Sequence, residues 1–207
     1  LLWDLDPSGG AGFLFGIEQG GKKAARLVEG KRHAEGRLWE SGYPDLDIAP
    51  ADESLRDLDG LLKRIGKKKH LAKLAEALAQ DYDRIILDCP PVLNETSAQV
   101  IRAADAVIVP LPPSPLSRRA LETVQGHLTA AGKRHPPILP VLSMFDARRT
   151  LHKQLREEMP DWPVVPMASA IEQSADRQAP VGAFARSSPG AQALAQLWKA
   201  VDRKLKR

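Results

Sequence analysis

Cysteine is nearly absent from this sequence of 207 residues, in which Cys89 is the only one. A single thiol excludes an internal disulfide and also a cluster held by several cysteines. The five histidines, at positions 33, 70, 127, 135 and 152, show no ligand spacing, so the sequence does not predict a zinc site. It also lacks an apolar run of about 18 residues and the apolar core of a secretion signal. These absences predict a soluble cytoplasmic protein.

The composition is that of a globular chain with a slight basic excess. With 43% hydrophobic residues, 207 residues can form one domain with a substantial core. The net charge of +4 and the sequence pI of about 9.3 permit contact with nucleic acid. Because this excess is modest and spread over many lysines and arginines, charge alone does not identify a DNA-binding protein.

Short apolar runs alternate with helical patterns along the chain, which is typical of βαβ units and a mostly parallel sheet. Leucines at helical spacing predict a helix on each side of Lys67-Lys68-Lys69. The segment 20–42, rich in glycine and basic residues, is predicted to be a mobile basic loop. The predicted strands are Leu1 to Leu5, Leu46 to Ala49, Arg84 to Leu87, Ala106 to Leu111, Ile138 to Ser143 and Val164 to Val165. Further predicted helices are Leu116 to Ala131, Thr150 to Met159 and Ala191 to Leu205.

Acidic side chains stand at the ends of two predicted strands. Asp4 and Asp6 end the first strand, and Asp88 follows Ile85-Ile86-Leu87. The carboxyl ends of parallel strands form the ligand-binding edge of an open sheet, so these three acids should converge on one crevice. A buried strand seldom keeps two carboxylates on one face unless they are paired or bind an ion. The pattern predicts a magnesium-phosphate site, with capping of the turns that follow, such as Pro7–Gly10, as the alternative.

The same two segments carry a family resemblance. Asp4-Leu5-Asp6-Pro7 and Leu87-Asp88-Cys89-Pro90-Pro91 resemble the second motif and the Walker B motif of the ParA/MinD family of deviant Walker ATPases. The resemblance extends in order and spacing over essentially the whole chain. It implies one α/β domain over residues 1–207: a doubly wound, mostly parallel sheet with helices on both faces, in the three-layer P-loop NTPase arrangement.

The resemblance also assigns catalytic and metal-binding roles. It implies that Asp6 orients the attacking water near magnesium and the γ-phosphate, while Asp4 belongs to the outer shell of the same site. Asp88 would hold a magnesium-bound water, as hard cations prefer oxygen ligands and Mg²⁺ retains several waters. Two prolines, Pro90 and Pro91, stiffen the segment after Asp88 because each fixes φ.

A second set of residues is assigned to the nucleotide base. Residues near Met144 approach the base in the family. The segment beginning at Val164-Val165-Pro166 resembles the family's base-binding and dimer-facing loop. This resemblance implies that Pro166, with Met167 beside it, lies at the adenine.

A third set concerns DNA. The arginine matching Arg148 lies in a basic patch that the family uses for DNA, and Arg149 and Lys153 are candidate companions on charge alone. Arg148 and Arg149 are equally compatible with solvated residues near a helix start. Met167-Ala168-Ser169-Ala170 replaces a basic pattern that is common in the family, so the arginines expected in that loop are absent.

The family's phosphate loop, of the type Lys-Gly-Gly-Val-Gly-Lys-Thr-Thr, does not precede Asp4 here. The stretch Gly16–Lys23 fits G-x-x-x-x-G-K, but it ends in lysine where a magnesium-binding hydroxyl is required, so we interpret it as a chance match. The sequence opens on Leu1 inside an apolar strand, and we expect the native protein to carry a preceding strand, phosphate loop and helix. Without that loop three acids would repel ATP, so the 207-residue polypeptide by itself is predicted not to hydrolyse ATP.

Together these features predict a ParA-like ATPase that partitions DNA or positions intracellular cargo in the bacterial cytoplasm or nucleoid. The resemblance implies ATP and Mg²⁺ as cofactors, an ATP-dependent homodimer, DNA binding without sequence preference and a ParB-like partner that stimulates hydrolysis. The chemistry would be magnesium-assisted phosphoryl transfer to water. Two alternatives stay open: a degenerate, non-catalytic scaffold of the same fold, and a metabolic ATP-dependent relative such as an amidating enzyme.

Overall fold

The computed structural model describes residues 1–17, 24–30, 38–91, 94–130 and 135–205. The chain separates into two compact units, Leu1–Ala104 and Asp105–Arg207. Each unit contains its own sheet with helices packed against it. In the part of the chain that the structure describes, no helix is both long and apolar enough to cross a membrane.

The first unit is built on a four-stranded sheet in which the strands follow the order β2-β3-β1-β4. β1 lies between β3 and β4 and is parallel to both, whereas β2 is antiparallel to β3 at the edge. Trp3, Leu5 and Ile48 are fully buried, so the central strands are apolar up to the point where the acids begin. The strands are β1 Leu2–Asp4, β2 Trp39–Glu40, β3 Asp47–Ala49 and β4 Ile86–Asp88.

Helices of the first unit begin and end at recognisable signals. Asp57 accepts a hydrogen bond from the Gly60 amide and caps the start of α3, and Gly66 ends that helix in the left-handed conformation at φ 70°. Asn94 and Ser97 form a reciprocal capping box at the start of α5. The helices are α1 Gly10–Leu14, α2 Ala24–Val28, α3 Leu58–Ile65, α4 His70–Leu78 and α5 Glu95–Ala103, with a 3₁₀ turn at Glu53–Leu55.

The second unit is built on a three-stranded parallel sheet in the order β5-β6-β7. Val141 and Leu142 of the central strand are buried, and α10 packs on β7. The strands are β5 Val107–Leu111, β6 Ile138–Phe145 and β7 Val164–Pro166. The helices are α6 Pro115–Ala130, α7 Thr150–Glu158, α8 Ser169–Arg177, α9 Val181–Phe184 and α10 Pro189–Leu205.

All six predicted strands are present, with bounds that differ by at most two residues, and the two helices flanking the lysines are confirmed. Five short elements, β2, α1, α5, α8 and α9, were not predicted. Within the segment predicted to be a mobile loop, residues 24–28 form α2, whose Leu27 and Val28 belong to the core, because apolar residues are locally concentrated there. Residues 39–40 of the same segment form β2, whereas its residues 20–23 and 31–37 lie outside the described residues, as does most of the Gly16–Lys23 stretch.

Candidate functional site

Three carboxylates gather at the carboxyl ends of β1 and β4. Asp4 is the register partner of Asp88 on the neighbouring parallel strand. The amide of Leu5 donates a 2.7 Å hydrogen bond to the carbonyl oxygen of Asp88, which extends the pairing toward Asp6. The negative charges of Asp6 and Asp88 act on Asp4, and that of Asp6 acts on Asp88. The three acids therefore share one edge of the first unit's sheet.

Asp4 is almost completely buried, with 1% of its surface exposed. Its Oδ1 accepts a 3.0 Å hydrogen bond from the Asp6 amide, and its Oδ2 accepts one of 3.1 Å from the Ala11 amide. Burial is the main cause that raises its pKa to about 6; the nearby charge of Asp88 also raises the pKa, and the two amide hydrogen bonds oppose the rise. Asp4 thus stabilises the turn between β1 and α1, and both of its carboxylate oxygens accept backbone hydrogen bonds there.

Asp6 lies in the turn that Asp4 stabilises, and it is only partly buried. Its Oδ1 accepts a 2.9 Å hydrogen bond from the Ser8 amide, and its carbonyl accepts one of 2.9 Å from the Gly9 amide. Gly9 adopts the left-handed conformation, φ 69°, which glycine reaches without the penalty that a side chain brings. The second oxygen of Asp6, Oδ2, accepts no hydrogen bond from any described residue, so it can bind water or a cation.

Asp88 ends β4 with an exposed side chain. Desolvation raises its pKa, and the charge of Asp6 raises it further. Burial similarly raises the pKa of the adjacent Cys89 thiol, and the charge of Asp88 adds to the rise, so this cysteine is not an activated nucleophile. Within the described ranges no side chain or amide donates to the Asp88 carboxylate, which leaves both of its oxygens open.

The open oxygens of Asp6 and Asp88 suit a magnesium ion. Carboxylate oxygens are ligands that Mg²⁺ prefers, and the mutual repulsion of the acids favours a cation between them. Among the described residues, no group of three or more His, Cys, Asp or Glu is arranged to hold a metal ion. Asp6 and Asp88 would therefore supply only part of a magnesium shell, with Asp88 acting through a bound water, as the sequence predicts.

Met144, Pro166 and Met167 come together at the carboxyl ends of β6 and β7. Phe145 pairs with Pro166 in the sheet register, and the Met167 amide donates a 2.9 Å hydrogen bond to the Phe145 carbonyl. Met144 and Met167 expose 53% and 49% of their surface. Met144 has φ 56°, a conformation that costs free energy for a residue with a side chain. These strand ends therefore present exposed apolar side chains, which we call the apolar platform.

Arg148 makes a bidentate ion pair with Asp146. Its Nε lies 3.0 Å from Oδ1 and its Nη2 lies 2.9 Å from Oδ2, although the side chain is 88% exposed. Arg148 also lowers the pKa of Asp146 to about 2. Arg149 and Lys153, at the start of α7, have no ion pair within the described residues. The charge of Arg148 is thus compensated, and those of its two companions are not.

His152 was not predicted to have a role, yet it fixes the loop after β6. It is buried, its Nδ1 accepts a 2.9 Å hydrogen bond from the Asp146 amide, and its ring packs against Phe145. Asp52 has a similar task in the first unit, where it accepts a hydrogen bond from the Ala24 amide at the start of α2. No spacing in the sequence distinguishes these residues from other polar positions, since both act on backbone amides.

A family model described as "AAA domain" matches residues 1–138. The chain is 28% identical over 166 residues to the chromosome partitioning protein ParA of Myxococcus xanthus, a match that covers 77% of this chain but only 59% of that protein. It is 26% identical over 215 residues to the sporulation initiation inhibitor protein Soj of Bacillus subtilis, with 97% of this chain and 85% of Soj covered.

Two solved structures resemble the chain over almost all of its length. The septum site-determining protein MinD of Pyrococcus horikoshii, complexed with Mg-ADP, superposes with a TM-score of 0.72 at 22% identity, covering 97% of this chain and 82% of MinD. Cobyrinic acid a,c-diamide synthase of Mycobacterium smegmatis, with a bound ATP analog and magnesium, gives a TM-score of 0.76 at 24% identity, covering 98% and 81%. At these identities the likeness establishes the fold, and it confirms the predicted α/β class with mostly parallel sheets and a P-loop NTPase-like arrangement.

Proposed function

We propose that the native protein hydrolyses ATP to partition DNA or position cargo, since this chain belongs to the AAA domain family and is a P-loop ATPase of the ParA/MinD type. Family membership confirms the resemblance carried by the Asp4–Pro7 and Leu87–Pro91 motifs. The observation that carries the proposal further is the pair of open carboxylates, Asp6 and Asp88, beside the fully engaged Asp4. Two open carboxylates that repel each other at one sheet edge favour a cation-binding role over that of a scaffold.

In the proposed mechanism the three acids have separate tasks. Asp4 holds the Asp6 amide and the start of α1, and so fixes the turn that carries Asp6. Asp6 would accept a hydrogen bond from the attacking water and so point the water oxygen at the γ-phosphorus. As the new P–O bond forms, the bond to the β,γ-bridging oxygen breaks, ADP leaves, and the proton of the water passes to the transferred phosphoryl group. Asp88 would hold a water bound to the magnesium ion. Magnesium, when bound, supplies the positive charge that offsets the charge of the phosphates.

Hydrolysis also requires donors for the phosphate oxygens. No stretch of the 207 residues fits a phosphate loop that ends in Lys-Ser or Lys-Thr. The chain spans 59% of the length of the Myxococcus protein, so the activity of the whole protein is a proposal. We expect magnesium-dependent turnover from the native protein and none from the 207-residue polypeptide alone, because acids without a cradle of N–H groups and lysines repel ATP.

The second unit supplies the remaining parts of the proposal. Met144, Pro166 and Met167 would receive the adenine, which the apolar platform at the ends of β6 and β7 supports. Arg149 and Lys153 would contact DNA phosphates, with Arg148 as a third member of the set. We further propose an ATP-dependent homodimer, a ParB-like activating partner and a location in the bacterial cytoplasm or nucleoid, on the strength of the similarity to chromosome partitioning proteins.

A metabolic ATP-dependent enzyme is the second candidate, because the fold is shared with an a,c-diamide synthase. Retention on duplex DNA of unrelated sequence, measured with ATP at increasing salt, separates the two. A partitioning ATPase should be retained at low salt and released as salt rises, since binding through phosphates releases counterions. ATP turnover without any DNA retention would favour the metabolic candidate, and the absence of both would favour the scaffold.

A further inference from the structure

The turn between α3 and α4 exposes three consecutive lysines, Lys67, Lys68 and Lys69, which we call the lysine turn. The cations just before it are compensated: the Lys63 ammonium lies 2.6 Å from Asp59, and the Arg64 guanidinium lies 3.0 Å from Asp57. The lysine turn has no such partner, since no ion pair or side-chain hydrogen bond joins its ammonium groups to any described residue. Three adjacent positive charges therefore face solvent without an ion pair to any residue that the structure describes.

Hydrogen bonds to the side chains of Gln99 and Arg102 hold the backbone of the lysine turn in place. Gln99, which is 1% exposed, accepts 3.2 Å hydrogen bonds from both the His70 and the Leu71 amides through one oxygen. Arg102 donates a 3.3 Å hydrogen bond to the Lys68 carbonyl. Gly66 makes the sharp exit from α3 in the left-handed conformation. These contacts fix the turn while leaving its three side chains in water.

The chemistry of the turn indicates which polyanion it suits. Lysine ammonium groups bind phosphate as point charges and lack the planar fork with which arginine reads guanine. No Phe, Tyr or Trp occurs between positions 63 and 73, and the ring of His70 is partly buried and hydrogen-bonded to the Val28 carbonyl, so single-stranded bases would find little stacking surface. The apolar residues of that stretch point inward, with Leu71 buried and Ile65 partly buried, so nothing there would insert into a lipid surface.

We infer that the lysine turn binds the phosphate backbone of duplex DNA without sequence preference. The inference rests on the proposed function, which includes binding of the protein to DNA. It adds a DNA contact on the first unit, separate from the proposed contacts of Arg148, Arg149 and Lys153 around the start of α7. That set includes Arg148, whose charge Asp146 compensates, whereas all three charges of the lysine turn are uncompensated.

The test is a salt titration of the native protein on a labelled duplex of random sequence. The variant K67Q/K68Q/K69Q should bind more weakly, and the slope of log Kobs against log salt should become shallower by about 2 to 3, since each lost phosphate contact changes it by about 0.9. The variant K67R/K68R/K69R, which keeps the charge, should bind like the wild-type protein. The matched control, K199Q/R203Q/K204Q, removes the same charge from exposed positions on α10 and should leave the slope unchanged.

Three results would overturn the inference: no binding of DNA by the wild-type protein, an unchanged slope in K67Q/K68Q/K69Q, or equal losses in that variant and in the α10 control. A fourth such result is that K67Q/K68Q/K69Q loses binding to phosphatidylserine vesicles while its binding to DNA is unchanged, which would assign the lysine turn to membranes. ATP turnover measured on the same samples keeps the two proposals apart. Normal turnover with an unchanged slope refutes only the lysine turn, whereas absent turnover with the predicted change of slope refutes only the ATPase.

Discussion

Asp4 and Asp88 face each other across two parallel strands, yet their carboxylates are in opposite situations. Both oxygens of Asp4 accept backbone hydrogen bonds inside the protein, whereas those of Asp88 accept none from the described residues. The buried acid therefore shapes the site and the exposed acid is available to a ligand. Asp6, which has one oxygen engaged and one open, lies between these extremes.

The pH dependence of stability should report the burial of Asp4. Its pKa rises from 3.8 to about 6 on folding, so the folded state binds the proton more tightly than the unfolded chain does. The contribution of Asp4 to stability is therefore full below about pH 4 and is lost as the pH rises through about 6, a change of about 3 kcal/mol. Urea unfolding at a series of pH values, for the wild-type protein and Asp4→Asn, measures it.

The difference in unfolding free energy between the wild-type protein and Asp4→Asn reports the titration of Asp4 separately from that of the other carboxyl groups, because asparagine does not titrate. Wild-type stability relative to Asp4→Asn should fall between pH 4 and pH 6. A difference that stays constant over that range would show that Asp4 is not desolvated as its contacts indicate.

Arg148 should contribute less to DNA affinity than Arg149. The bidentate pair with Asp146 already neutralises Arg148, so Arg148→Gln removes a charge and exposes another of opposite sign near the loop, whereas Arg149→Gln removes an uncompensated cation. We expect Arg149→Gln to make the salt dependence of DNA binding shallower by about 0.9, the value for one phosphate contact. Arg148→Gln should change that slope by less than Arg149→Gln does, and the opposite ranking of the two variants would refute the account of the ion pair.

Gly190 should tolerate no side chain. A Cβ atom there would lie 2.8 Å from Cγ1 and 3.0 Å from Cδ1 of Ile171, which packs against the start of α10. Gly190→Ala should lower the free energy of unfolding by about 1 to 3 kcal/mol through overpacking. Gly126→Ala in α6 is the matched control, since nothing lies within 4 Å and the change should stabilise the helix by about 0.5 to 1 kcal/mol. Equal effects of the two substitutions in urea unfolding would contradict the packing described for α10.

Much of the fold follows from local patterns in the sequence. The six strands are marked by apolar runs, and α3 and α4 by leucines at helical spacing on either side of the lysines. Leucine spacing does not reveal α5, because its buried face includes Thr96 and Gln99, and the Gln99 side chain accepts hydrogen bonds from the His70 and Leu71 amides instead of adding apolar surface. α8 contains only one large apolar residue, Ile171, and β2 has only two residues, so neither offers a series of large apolar residues to recognise.

The site was predictable in position but not in detail. Parallel strands align their carboxyl ends, so the sequence could bring Asp4, Asp6 and Asp88 to one edge. It could not tell which acid is engaged, because Asp4 reaches the Ala11 amide only when Gly9 turns the chain in the left-handed conformation. The pairing of Arg148 with Asp146 likewise depends on the loop that His152 fixes from within the unit.

Single-turnover hydrolysis of ATP by the native protein with Asp6→Ala tests the central claim most directly. The variant should bind ATP as the wild-type protein does and hydrolyse it about 100-fold more slowly or worse, because the attacking water is no longer oriented. Asp83→Asn, which alters an exposed acid outside the site, should hydrolyse at the wild-type rate. Wild-type hydrolysis by Asp6→Ala would remove Asp6 from the mechanism and contradict the account.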